Sequence, residues 1–191
     1  MSILLQGKGF KKALMPFLLS IALAGCSNLL GDGFSAALQN DANAGSEFYM
    51  NKLEQPLSAE DRQTYKLLAA RVLIDENKVA QAEALLNELV GLNNLQKLDR
   101  TLIAARIAAL KDDNQQAQNL LANVDLNKLS PSQTARYYAV RAQIAENGAD
   151  VISALKARIK IDENLTDVQR RQENIDQSWA LLRAANTGVI N

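Results

Sequence analysis

One arrangement of apolar and polar residues occurs three times along this 191-residue chain. It runs through YKLLAARVLIDENKVAQAEALL from Tyr65, RTLIAARIAALKDDNQQAQNLL from Arg100 and ARYYAVRAQIAENGADVISALK from Ala135, each 35 residues after the last. Within each, apolar residues return every three or four positions, the spacing of an amphipathic helix. Stacked without gaps, Ala69, Ala104 and Ala139 coincide, as do Leu85, Leu120 and Leu155. A polar pair interrupts every copy: Glu76-Asn77, Asp112-Asp113 and Asn147-Gly148. Each unit therefore reads as a helix A, a tight turn and a helix B. A fixed period of this size marks helix-pair solenoids, tetratricopeptide repeats having about 34 residues. The pattern predicts an all-α chain, a tetratricopeptide-like helix-pair solenoid with capping helices. The tetratricopeptide signature itself is degenerate, since Tyr65 or other residues stand for its tryptophan and Ala69 for its glycine.

Capping residues mark the helix ends. Ser58 with Asp61 fits an acidic capping box, and Ser130-Pro131 with Gln133 supplies an N-cap, a proline at the first helical position and a box. Thr166 with Gln169 opens a last helix running to about Ala185. With Trp179, Leu181 and Leu182, that helix covers one end of the stack. A first helix over about Ser46 to Leu53 covers the other. Tyr137, Tyr138 and Trp179 read as core or cap residues.

The pattern is different at the N-terminus. Lys8, Lys11 and Lys12 precede an apolar run from Ala13 to Ala24. A positive segment followed by about 7–15 apolar residues is a secretory signal, and the run is shorter than a membrane span. It ends in Leu23-Ala24-Gly25-Cys26, which resembles the bacterial lipobox. That resemblance implies that Leu23, Ala24 and Gly25 are read by the lipoprotein signal peptidase. It further implies that Cys26 takes the lipid on its thiol and becomes the first mature residue. Ser27, not an aspartate, follows, which in enteric-type bacteria favours export to the outer membrane. Residues 1–25 are then the signal peptide. Residues 26–45, rich in Gly, Ser, Asn and Asp, are the lipidated N-terminus and a flexible tether. Residues 46–187 are the helical domain.

Composition narrows the chemistry. The chain has no histidine and one cysteine, which excludes imidazole bases, an internal disulfide and a thiolate zinc site. Without the first 25 residues it has 18 basic and 21 acidic residues, a net charge of −3 and no basic stripe. Nucleic acid is therefore not an expected partner. The acids in KDDN and DEN read as turns, not metal ligands. No phosphate loop or nucleophile elbow is present. The expectation is a protein that is not an enzyme and that takes no cofactor and no metal.

Arg71, Arg106 and Arg141 also coincide in the stack, each among apolar neighbours. One position on successive A helices predicts a ladder along the solenoid. In the favoured, structural reading, each guanidinium bonds carbonyls or an acid between helices, because an unpaired buried charge is costly. In the alternative, the row faces anions in the groove.

The segments LAGCSNLLG, SEFYMNKL, YKLLAARVLIDENKVAQAEALL, LNKLSPSQTARYY and NLTDVQRRQENIDQSWALLRAANTGVIN together resemble the N-terminal part of the LpoA family, in a form close to Haemophilus-like members. That family comprises outer-membrane lipoprotein activators of penicillin-binding protein 1A. The resemblance implies a periplasm-facing, lipid-anchored regulator of peptidoglycan synthesis that reaches a bifunctional synthase and stimulates its transpeptidase. It also implies a second domain, resembling periplasmic substrate-binding proteins, beyond residues 188–191, which read as the start of a linker. By the same resemblance, docking on the synthase falls chiefly to that second domain, which leaves no residue of this chain as an expected synthase contact. By this reading the chain is a fragment, a disrupted frame or one half of a split gene. The competing expectation is a tetratricopeptide-type scaffold lipoprotein in outer-membrane assembly, binding peptides or partner helices in its groove.

Overall fold

In a computed structural model, residues 45–187 are described, and they are helical throughout with short connections. The chain runs α1 (Ser46–Leu53), α2 (Ala59–Asp75), α3 (Val79–Asn87), α4 (Asn94–Leu110) and α5 (Asn114–Leu121). A 3₁₀ turn (Leu126–Lys128) leads to α6 (Pro131–Asn147), α7 (Val151–Asn164) and α8 (Val168–Thr187). α2, α4 and α6 are the three A helices, each of 17 residues. α3, α5 and α7 are their B partners, each packed on its own A helix. A helices also pack on the next A helix, α2 on α4 and α4 on α6. This is the tetratricopeptide-like solenoid, with α1 packed on α2 and α8 on α7 at its two ends.

Every A helix ends in the same way. Asn77, Asp112 and Ala149 take left-handed φ values of 61°, 61° and 55°. The next residue bonds back five positions, Lys78 to Leu73, Asp113 to Ala108 and Asp150 to Ala145, at 2.7–2.9 Å. These are Schellman closures, which satisfy carbonyls that the helix leaves open. Asp113 and Asp150 then cap the following B helices through Gln116 N and Ser153 N. The sequence expectation placed the third turn at Asn147-Gly148. The left-handed residue is Ala149 instead, with Gly148 at φ −86°.

That displacement corrects the register of the third repeat. The A helices start at 59, 94 and 131, so the second offset is 37, not 35. The additional residues lie in the connection after α5, which carries the 3₁₀ turn. The fourth residue of each B helix shows the true alignment. Ala82, Ala117 and Ala154 occupy it, and all three have 0% exposure. A methyl side chain there lets B approach A closely.

The capping boxes at Ser130–Gln133 and, unforeseen, at Asn93–Gln96 are both complete. Ser58 accepts from Asp61 N, but its hydroxyl donates to the Asp61 carboxylate, so that cap closes through side chains. The last helix starts one residue later than expected. Asp167, not Thr166, accepts from the backbone of Arg170.

Among the described residues the core forms three clusters, around Leu67, Leu68 and Tyr49, around Leu102 and Val140, and around Ala142 and Ile161. Tyr137 and Tyr138 pack against the second and third clusters, edge to face at 5.3 Å. Trp179 departs from expectation. It is 57% exposed on α8.

Candidate functional site

The A-helix side of the stack holds a cavity of about 470 Å³. α2, α4 and α6 form its floor, and Leu165 to Arg170, joining α7 to α8, close it on one side. Ile74, Leu102, Ile103, Ala135, Ala139 and Ile161 give it apolar walls. Four arginines line it as well: Arg71, Arg106, Arg136 and Arg170. A neighbouring cavity of about 570 Å³ shares Arg106, Asp75 and Arg170 and extends to Glu146 and Arg158.

Two of the three expected ladder residues are in this site, and one is not. Arg71 and Arg106 are each the thirteenth residue of their A helix. Arg141 is the eleventh of α6 and is exposed. Two residues of misregister turn a side chain by about 200° around a helix, which is nearly the opposite face. The thirteenth residue of α6 is Gln143. Arg106 donates to its Oε1 and to the Ala139 carbonyl, both at 3.2 Å. Burial pushes the Arg106 guanidinium below its ordinary range.

Arg136 was not singled out in the sequence, although it lines the site. It donates to Asp99 at 2.7 Å, and Gln133 donates to the same oxygen at 3.3 Å. Asp99 is 3% exposed. Burial lowers the Arg136 guanidinium, and the Asp99 carboxylate opposes that only in part. The signal lay in the capping box, since Gln96 reaches Thr64 as Gln133 reaches Asp99. Both contacts run from the third residue of one A helix to the sixth of the preceding one. Arg170 and Asp75 meet at 3.7 Å on the rim, both substantially exposed.

Arg71 differs from the rest. It is 8% exposed and its guanidinium donates no hydrogen bond to any described residue. Burial first, then Arg136 and Arg170, push it down to about 9, against a smaller opposing effect of Asp75. Nearby Arg158 shows what a satisfied arginine looks like here. It binds Glu146 at 2.5 Å and Gln177 at 2.6 Å, tying α8 to the stack. Among the described residues, no group of three His, Cys, Asp or Glu is placed to hold a metal ion. No helix among them is long and apolar enough to cross a membrane. Leu23, Ala24, Gly25 and Cys26 lie outside the described residues.

Residues 39–191 match the family model described as "LppC putative lipoprotein". The solved N-terminal domain of LpoA from Haemophilus influenzae superimposes with a TM-score of 0.76 at 66% identity, covering 83% of this chain and 72% of that one. The chain belongs to the LpoA family. The H. influenzae protein named penicillin-binding protein activator LpoA is 69% identical over all 191 residues, and that of Mannheimia succiniciproducens 60%. In both cases the alignment takes in 33% of the relative, so the chain spans about a third of their length. The E. coli LpoA amino-terminal domain, at 35% identity and a TM-score of 0.66, has the same fold over 78% of this chain and 66% of that one. The chain thus corresponds to the N-terminal domain of LpoA proteins, whose curated members are named as activators and not as enzymes.

Proposed function

We propose that this chain is the membrane-anchored helical part of an activator of peptidoglycan synthesis that acts on penicillin-binding protein 1A and performs no chemistry of its own. The observation carrying this reading is agreement of sequence and fold, over nearly the whole chain, with the N-terminal domains of LpoA proteins. Cys26 is the acylated first residue, with Leu23 to Gly25 as the recognition site of the signal peptidase. The lipid holds the chain on the inner face of the outer membrane, and residues 26–45 carry the helical domain over 46–187 into the periplasm. One acyl chain binds a bilayer only marginally, whereas two or three anchor it stably. A solenoid grows along its axis one helix pair at a time, which suits reach toward a partner anchored elsewhere. Activation needs only preferential binding to the active state of the synthase.

Two measurements test this. Labelling cells with radioactive palmitate should mark the chain and leave Cys26→Ser unlabelled. Equal labelling of both removes the anchor. In a reconstituted cross-linking assay with penicillin-binding protein 1A, this chain and full-length H. influenzae LpoA are compared. Binding or stimulation by the full-length protein, with the chain contributing to the complex, supports the reading. If neither protein binds the synthase or raises cross-linking, the assignment fails.

A further inference from the structure

We propose that the arginine-lined cavity between the A helices binds a singly charged carboxylate bearing an apolar side chain, and that its occupant is the free C-terminus of a peptide ending in an apolar residue. The proposal rests on the geometry of the cavity and is independent of the activator reading.

A buried polar group without a partner is rare and calls for a cause. Among the described residues Arg71 is such a group, more than nine-tenths buried and lining the cavity. A purely structural arginine would resemble Arg158, whose guanidinium meets a carboxylate and two side-chain carbonyls. Arg71 reaches none among the described residues, although its fork of donors matches a carboxylate.

Charge sets the valence of the ligand. Four guanidiniums face the cavity against Asp75 and Asp167, and Asp99 sits behind Arg136. One positive charge is left in excess, which a monoanion neutralises and a phosphate dianion would overshoot. Shape sets the rest. About 470 Å³ lies within the range of small-ligand sites, roughly 300–1,000 Å³. The walls beside Arg71 and Arg106 are Ile74, Leu102 and Ile103. A peptide C-terminus carries its carboxylate and its last side chain on the same carbon, so both can enter together. The exposed Arg170–Asp75 pair marks the rim through which the peptide would leave.

The test uses the full chain, with N-acetyl-Ala-Leu as free acid and as C-terminal amide, followed by NMR titration. The free acid should give saturable shifts at the amides of residues 71, 103, 106 and 136, and the amide should bind at least about tenfold more weakly, the loss expected for removing a charge-assisted contact. Arg71→Met should lose the same factor while keeping its helical circular dichroism, and Arg71→Lys should retain part of the affinity. Arg141→Ala, on the opposite face of α6, should bind as the unsubstituted chain does. If Arg71→Met does not fold, the acid-to-amide difference and Arg71→Lys still decide. The proposal is overturned by equal binding of acid and amide, by no saturable shift from either at millimolar peptide, by unchanged affinity in a folded Arg71→Met, or by tighter binding of inorganic phosphate.

Discussion

Ala149 is the least comfortable residue of the fold. It holds the left-handed position that Asn77 and Asp112 hold in the other repeats, and it has a β-carbon and no polar side chain to ease it. That conformation costs an L-residue about 1–2 kcal/mol. Ala149→Gly should therefore stabilise the protein by about 1 kcal/mol after the added unfolded-state entropy of glycine. A urea midpoint that rises at constant slope checks it. Asp99 is the opposite case. It is buried and accepts from both Arg136 and Gln133. Removing one partner of a buried pair leaves the other charge uncompensated, so Asp99→Ala should destabilise by about 3–5 kcal/mol. Restoration by a second change, Arg136→Met, would separate loss of the pair from loss of packing.

At the scale of elements, α1 is held by an acid-sensitive clasp. Glu76, just after α2, accepts from the Ser46 backbone and hydroxyl, both at 2.7 Å, and from Lys78 at 2.6 Å. Lys78 first, then Ser46, hold this carboxyl down at about 2. Because the folded value lies below the ordinary one, the clasp contributes fully above about pH 4.5 and is lost as pH falls toward 2. Detachment of α1 should appear in that window as a change in fluorescence of Tyr49, which is 1% exposed at the α1–α2 interface. Glu76→Gln should flatten the acid response. The elements themselves were legible in the sequence because their signals are local. Ser58, Ser130 and the polar turn pairs act within a few residues of where they stand. The register of the third repeat was not, because two residues in a connection leave no mark on hydrophobic period. An alanine- and arginine-rich pattern can align with itself at 35 as readily as at the true 37. The folded helices reveal the offset, through their starts, the left-handed turns and the packing of Ala82, Ala117 and Ala154, all fully buried.

At the scale of the molecule, stability should be graded along the stack. The largest fully buried side chains, Tyr49, Leu67, Leu68, Leu102 and Val140, lie in α1, α2, α4 and α6. α8 presents Trp179, Leu182 and Val168 to solvent and is fastened mainly through Arg158, Asn174 and Gln177. Amide exchange reports such local differences in opening. It should be slowest in α2 and α4 and fastest in α8, and Arg158→Ala should accelerate α8 selectively. Uniform exchange along the chain would contradict this gradient. The same arrangement closes the candidate site, since Arg170 of α8 returns to Asp75 of α2.

The sequence by itself determined the helical repeat, the two capping helices and most helix ends, since each depends on a short period or on a side chain bonding the backbone beside it. It also carried the family, through long stretches of matching residues. The tertiary structure decided which arginines share a cavity. Arg141 turned away, Arg136 and Arg170 entered, and Arg71 was left buried with no hydrogen-bond partner among the described residues. Those outcomes depend on the rotation of one helix against another, and that rotation is fixed by packing and by the length of a connection rather than by any local pattern of residues.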